Sequence, residues 1–132
     1  MQKVNYQSEN PWYREIKDGF NWFCYCLNTK CKVNRQLVVL NRGYSILSLH
    51  KELSKSVCPL CKKGNAKGAN GEKPTLIFRN CGFVNCEWVM RGILMSNKNS
   101  KIYADGRTYD NKLYTFKEID YREVWLDLDI IV

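Results

Sequence analysis

Val57-Cys58-Pro59-Leu60-Cys61-Lys62-Lys63-Gly64 is the stretch that decides what kind of fold this chain adopts. Two cysteines in the spacing C-x2-C can face one ion, because the turn between them brings their sulfurs together. Proline after the first and glycine shortly after the second suit a tight knuckle. Zinc takes four soft ligands in a tetrahedron, with each sulfur at about 2.3 Å. A chain of 132 residues buries a modest core, so such a staple would add usefully to its stability.

Two further pairs repeat the theme. Cys26 and Cys31 are spaced C-x4-C around Leu27-Asn28-Thr29-Lys30, and Cys81 and Cys86 are spaced C-x4-C in Asn80-Cys81-Gly82-Phe83-Val84-Asn85-Cys86. Each pair sits between two candidate strands and is expected at a hairpin tip, where backbone amides can donate to the thiolates. Six ligands exceed the four of one structural zinc. One zinc could use two pairs, with the third merely buried. Two zincs could use all six plus Cys24 and His50. Six thiolates could also hold a two-metal cluster. The spacers from Cys31 to Cys58 and from Cys61 to Cys81 both suit ribbon-type sites and do not decide. We expect all three pairs to bind metal, with one or two zinc ions in total. Cys24 alternates with Cys26 on a candidate strand, so both face one way and Phe23 and Tyr25 the other. His50 is the only histidine. An eight-ligand cross-brace would need a cysteine between Cys31 and His50, and none is there.

Seven cysteines, an odd number, fit disulfides poorly. With no apolar leader in the polar start Met1–Tyr13, the expectation is a reducing compartment, cytoplasm or nucleus, and thiols that serve as ligands. No stretch reaches the roughly 18 apolar residues of a membrane span.

The net charge of +8 is uneven. Residues 30–101 hold fourteen Lys and Arg against Glu52, Glu72 and Glu87, whereas residues 102–132 hold four basic groups against seven acids. Such a field attracts phosphate or another acidic partner. It also favours deprotonated sulfur, since a four-thiolate zinc site is itself anionic.

The fold expected is mainly β: a small zinc-stapled domain built of hairpins with zinc-ribbon-like knuckles. Strands are expected at Phe20–Tyr25, 33–40, 75–79, 87–94, 112–117 and from Leu126 onward. Leu126, Leu128, Ile130 and Val132 alternate there with Asp127 and Asp129. Turns are expected at Asn41-Arg42-Gly43 and Asp105-Gly106, one helical turn at 51–56, and an exposed loop at 62–74. Residues 1–19 read as an N-terminal extension. Residues 20–132 read as one zinc-binding β domain, with the cysteines in 20–95 and acidic strands in 112–132.

Cys26-x4-Cys31, the pair Gly43-Tyr44, Cys58-Pro59-Leu60-Cys61 and Cys81-Gly82-Phe83-Val84-Asn85-Cys86-Glu87-Trp88 with the following Gly92 together resemble a cysteine-rich module. That module occurs in poorly characterised proteins of protists and fungi, often beside ubiquitin-like domains. The resemblance spans about residues 20–95. It implies a metal-binding adaptor and no activity. Cys24 and His50 depart from the pattern, and no ubiquitin-like domain accompanies it here.

No catalytic constellation is expected. An all-thiolate zinc has no open position, and Gly64, Gly68 and Gly71 lack the order of a phosphate-binding loop. The function expected is a non-enzymatic protein-interaction module or assembly subunit, with no small-molecule substrate and no membrane. Its acidic, apolar C-terminal strand could add to a partner's sheet, and Trp12, Trp22, Trp88 and Trp125 are candidate anchors. The alternative is a domain binding RNA or single-stranded DNA. Lys62, Lys63, Lys67 and Lys73 would then meet phosphates, and Tyr44 or Phe83 would stack on bases.

Overall fold

The computed structural model describes residues 1–6, 9–65, 73–94, 102–116 and 125–132. In chain order these form β1 (Gln2–Val4), a 3-10 turn (Trp12–Arg14), β2 (Gly19–Cys26), β3 (Leu37–Gly43), β4 (Ile46–Ser48), helix α1 (Leu49–Lys55), β5 (Leu76–Val84), β6 (Glu87–Leu94), β7 (Ile102–Arg107), β8 (Leu113–Thr115) and β9 (Trp125–Ile131). The fold is mainly β, as the alternating patterns lead one to expect. A five-stranded sheet runs in the order β1-β8-β5-β2-β3, and a four-stranded sheet in the order β4-β9-β6-β7. All the pairings are antiparallel.

Alternation along β2 builds the centre of the core. Phe20, Trp22, Cys24 and Cys26 are wholly buried, while Phe23 is half-buried and Tyr25 faces solvent. Trp22 meets Phe20 and Phe78 edge-on at 4.6 and 5.0 Å between ring centroids. Phe83 of β5 stacks flat on Trp88 of β6 at 4.4 Å, which ties one sheet to the other. Met90 and Ile130 add to the same core from the four-stranded sheet. Burying aromatic side chains of this size supplies the largest apolar contribution a small domain has.

Three expectations change. Cys81 to Cys86 does not form a hairpin tip, because β5 and β6 belong to different sheets. Cys81, Gly82, Phe83 and Val84 all continue β5, and the chain turns a corner at Asn85, whose φ is +50°. Asn adopts that left-handed conformation more readily than most residues. Asp105-Gly106 is likewise no turn but part of β7, opposite Val89 and Trp88. Gly106 is needed there because a Cβ would sit 2.6 Å from the Trp88 ring. Asn41-Arg42-Gly43 ends β3 rather than turning, and Gly43 lies against Gly19, where a Cβ would come within 2.4 Å of backbone.

The helix is longer than the single turn expected. It begins at Leu49, and Leu49 and Glu52 face inward. Glu52 is fully buried. Its Oε1 accepts from Trp22 Nε1 at 3.2 Å and Arg42 Nε at 3.0 Å, while Arg42 Nη2 donates to Ser56 Oγ at 2.8 Å. Among the described residues Oε2 accepts no hydrogen bond, but Lys55 Nζ lies 3.5 Å from it, so the buried carboxylate is held by charge pairing on one oxygen and by hydrogen bonds on the other. The network clamps the end of α1 onto β2 and β3, two residues before Cys58.

The first residues join the five-stranded sheet, since Gln2–Val4 pairs with β8 and Arg14 Nε donates to Leu37 O at 2.8 Å. The strand β9 lies between β4 and β6. Over Asp129–Ile131 both its edges are used, so that part cannot add to a partner's sheet.

Candidate metal centre

The sulfurs of Cys26, Cys31, Cys58 and Cys61 all lie within 4.8 Å of one another. Cys26 Sγ is 3.8 Å from Cys61 Sγ, and Cys31 Sγ is 3.9 Å from Cys58 Sγ. A tetrahedral site with metal–sulfur bonds of about 2.3 Å has edges of about 3.8 Å. The four thiols therefore have the dimensions of a site for one metal ion.

Two loops present them. Cys26 ends β2, and the chain then turns so that Cys31 N donates to Asn28 O at 3.0 Å and Asn34 N to Cys31 O at 3.1 Å. Arg35, with φ at +61°, returns its N–H to Cys26 O at 2.6 Å, and β3 begins two residues later. This is the expected hairpin connection. The second loop is the C-x2-C stretch. Lys62 N donates to Cys58 O and Cys58 N to Lys63 O, both at 2.9 Å, and Lys62 takes φ of +62°. The loop closes on itself there, and Val57 bridges Gly64.

The electrostatics suit thiolates. The backbone amides of Cys61 and Leu60 favour the Cys58 thiolate, that of Asn28 the Cys26 thiolate, and the Asn28 side chain and the Lys63 amide the Cys61 thiolate. Amides aimed at sulfur stabilise its anionic form. Burial works the other way. It drives the Cys26 thiol far above its usual range and raises Cys58 too. Burial also raises Cys61, but the hydrogen bonds outweigh it and bring that thiol down to about 7. A cation bound among the four sulfurs would offset the charge of their thiolates.

The other expected ligands lie elsewhere. Cys24 is buried on the same face as Cys26 but outside the four-sulfur group, near Arg42, Glu52 and Cys58. Burial pushes its thiol well up. His50 is exposed on α1. Cys81 is buried in β5 opposite Trp22, and Cys86 is buried at the corner, where burial raises its thiol to about 11. Lys62, Lys63 and Lys73 are exposed, and Lys67 lies outside the described residues. Two supporting features had faint signals in the sequence. Asn28 is an amide inside a C-x4-C loop, and Glu52 is the sole acid between residues 30 and 71.

No helix among the described residues is long and apolar enough to cross a membrane. No family model, curated protein or solved structure matches the chain.

Proposed function

We propose that the chain is a non-enzymatic, zinc-stapled protein-interaction module, acting as an adaptor or as a subunit of a larger assembly. The metal is zinc because four thiolates with tetrahedral edges suit that ion and leave no coordination position for a substrate. The reading assigns one ion to Cys26, Cys31, Cys58 and Cys61, in a reducing cytoplasm or nucleus.

The observation that carries the interaction role is an apolar row across the four-stranded sheet, half-buried at Val89 and increasingly open towards the edge at Ile46. Ile46, Ile131 and Val89 lie side by side on β4, β9 and β6, and Ile46 is 78% exposed. Tyr44, 62% exposed, lies just ahead of Ile46 in the chain. The three-residue strand β4 is an edge of that sheet. Apolar residues lined up at a sheet edge fit protein contact better than solvent. Affinity capture from native extract by wild type and by the Ile46→Asp/Ile131→Asp variant tests the reading. A stoichiometric protein lost with the variant supports it. Equal recovery by both, or none by either, removes it.

A further inference from the structure

The opposite end of the molecule carries a second surface. Three segments meet at the four cysteines: residues 25–36, 57–65 and 73–79. Together they hold Lys30, Lys32, Arg35, Lys62, Lys63, Lys73 and Arg79, and no acid. Within that field lies a hollow of about 250 Å³ lined by Tyr25, Leu27, Arg35, Ile77 and Arg79.

Both arginines reach the hollow through departures from regular backbone. The pairing of β2 with β5 slips between Phe23/Asn80 and Cys24/Phe78, so Arg79 is the extra residue of a bulge. A bulge re-aims the side chain it carries. The Arg79 guanidinium sits 5.8 Å from the Tyr25 ring centre. Arg35 holds its left-handed φ of +61° through its N–H to Cys26 O. Bulky residues pay strain in that conformation. Tyr25 and Ile77 are direct cross-strand partners, and with Leu27 they form an apolar floor between the two cations. The loop that carries Cys31 therefore also shapes this hollow, since Leu27 and Arg35 both belong to the connection between β2 and β3.

We infer that this hollow binds one nucleotide of a single-stranded nucleic acid, with the base against Tyr25, Leu27 and Ile77 and its phosphate between Arg35 and Arg79. Guanidinium forks match phosphate oxygens in two-pronged geometry. A tyrosine face accepts any unstacked base. The lysines of the three segments, Lys30, Lys32, Lys62, Lys63 and Lys73, add positive charge that suits a chain of evenly spaced phosphates better than one isolated anion. A duplex keeps its bases stacked and cannot offer one to the floor. This surface is independent of the Ile46–Ile131 row.

Fluorescence anisotropy of a labelled twelve-nucleotide oligo-uridine or oligo-thymidine, with the full zinc-loaded chain, tests the inference. Three or four phosphates contacted predict about 20- to 50-fold weaker binding between 50 and 200 mM salt, at ~0.7 ions released per phosphate. The Arg35→Gln/Arg79→Gln variant should bind at least about tenfold more weakly and show a salt slope smaller by about 0.7, the share of the one phosphate the two arginines hold. Tyr25→Ala should lose about tenfold with the salt slope unchanged. Zinc content by native mass spectrometry checks that each variant keeps its fold. Failure of the wild type to bind at 50 mM salt overturns the inference, as does undiminished binding by the arginine variant. Equal competition by a poly-aspartate peptide also overturns it and points to an acidic protein instead. Duplex binding as tight as single-strand binding removes the role of the floor.

Discussion

Cys26–Cys31 and Cys81–Cys86 have the same spacing and opposite fates. In the first pair Leu27-Asn28-Thr29-Lys30 leaves the strand at once, and its turn swings Cys31 back beside the Cys58–Cys61 knuckle. In the second, Gly82, Phe83 and Val84 prolong β5, which carries the chain about 10 Å forward before any turn can begin. Phe83 then stacks on Trp88, and the pair of cysteines brackets the corner between two sheets. Spacing alone does not make a knuckle. What lies between the cysteines does: polar turn-formers fold a loop, whereas β-formers with apolar partners extend a strand. One pair joins a candidate metal site, and the other lies within the packing.

The largest expected difference between the two regions is in their loss. Cys58→Ser should remove the metal and abolish cooperative thermal unfolding, since a structural zinc contributes about 10–16 kcal/mol against a typical total of about 5–15 kcal/mol. Native mass spectrometry should find one zinc in the wild type and in a Cys81→Ala variant. A second zinc that vanishes with Cys81 would erase the contrast. Next comes Trp88→Ala at the corner, which should cost about 3–5 kcal/mol while leaving the zinc in place. Calorimetry and metal analysis of the same sample read both quantities.

A smaller effect is expected at Asn28. Asn28→Ala removes the side-chain amide that favours the Cys61 thiolate and should lower zinc affinity about 10- to 100-fold in a chelator competition. An unchanged affinity would mean that the Asn28 amide does not steady the thiolate.

The smallest concerns pH. The Cys86 thiol is raised from 9.0 to about 11 in the folded chain, mainly by burial. The folded state therefore keeps its proton where the unfolded state gives it up. The stabilisation is full below about pH 9 and fades as pH rises towards 11. Urea unfolding should show wild type losing up to about 2 kcal/mol more than Cys86→Ala across that window. Parallel curves for the two proteins would mean that the Cys86 proton is not coupled to folding.

Much of the β pattern was legible residue by residue. Strand β6 runs from Glu87 to Leu94, as its sequence suggests, and the alternation from Leu126 lies within β9. The C-x2-C knuckle was legible too, because proline and glycine act within a few residues of the sulfurs. Misreadings came where a distant neighbour decides. Gly106 reads as a turn until Trp88 is found lying against it, and Gly19 reads as a turn until the Gly43 backbone is found 2.4 Å from where its Cβ would be. Cys81-Gly82-Phe83 with Asn85-Cys86, which reads as a third cysteine knuckle, forms the corner between the sheets.

By itself the sequence determined that the chain is mainly β, that cysteines cluster in pairs, and that positive charge gathers around them. These are properties of composition and of neighbours within a few residues, where alternation and turn chemistry act. Which pairs meet was decided only in the tertiary structure. Cys26 and Cys61 approach to 3.8 Å because the clamp of Trp22, Arg42 and Glu52 holds α1, and with it the knuckle, against the end of β2. That closure links residues 35 apart. A bond formed across such a separation depends on how the whole core packs, and no local pattern specifies it.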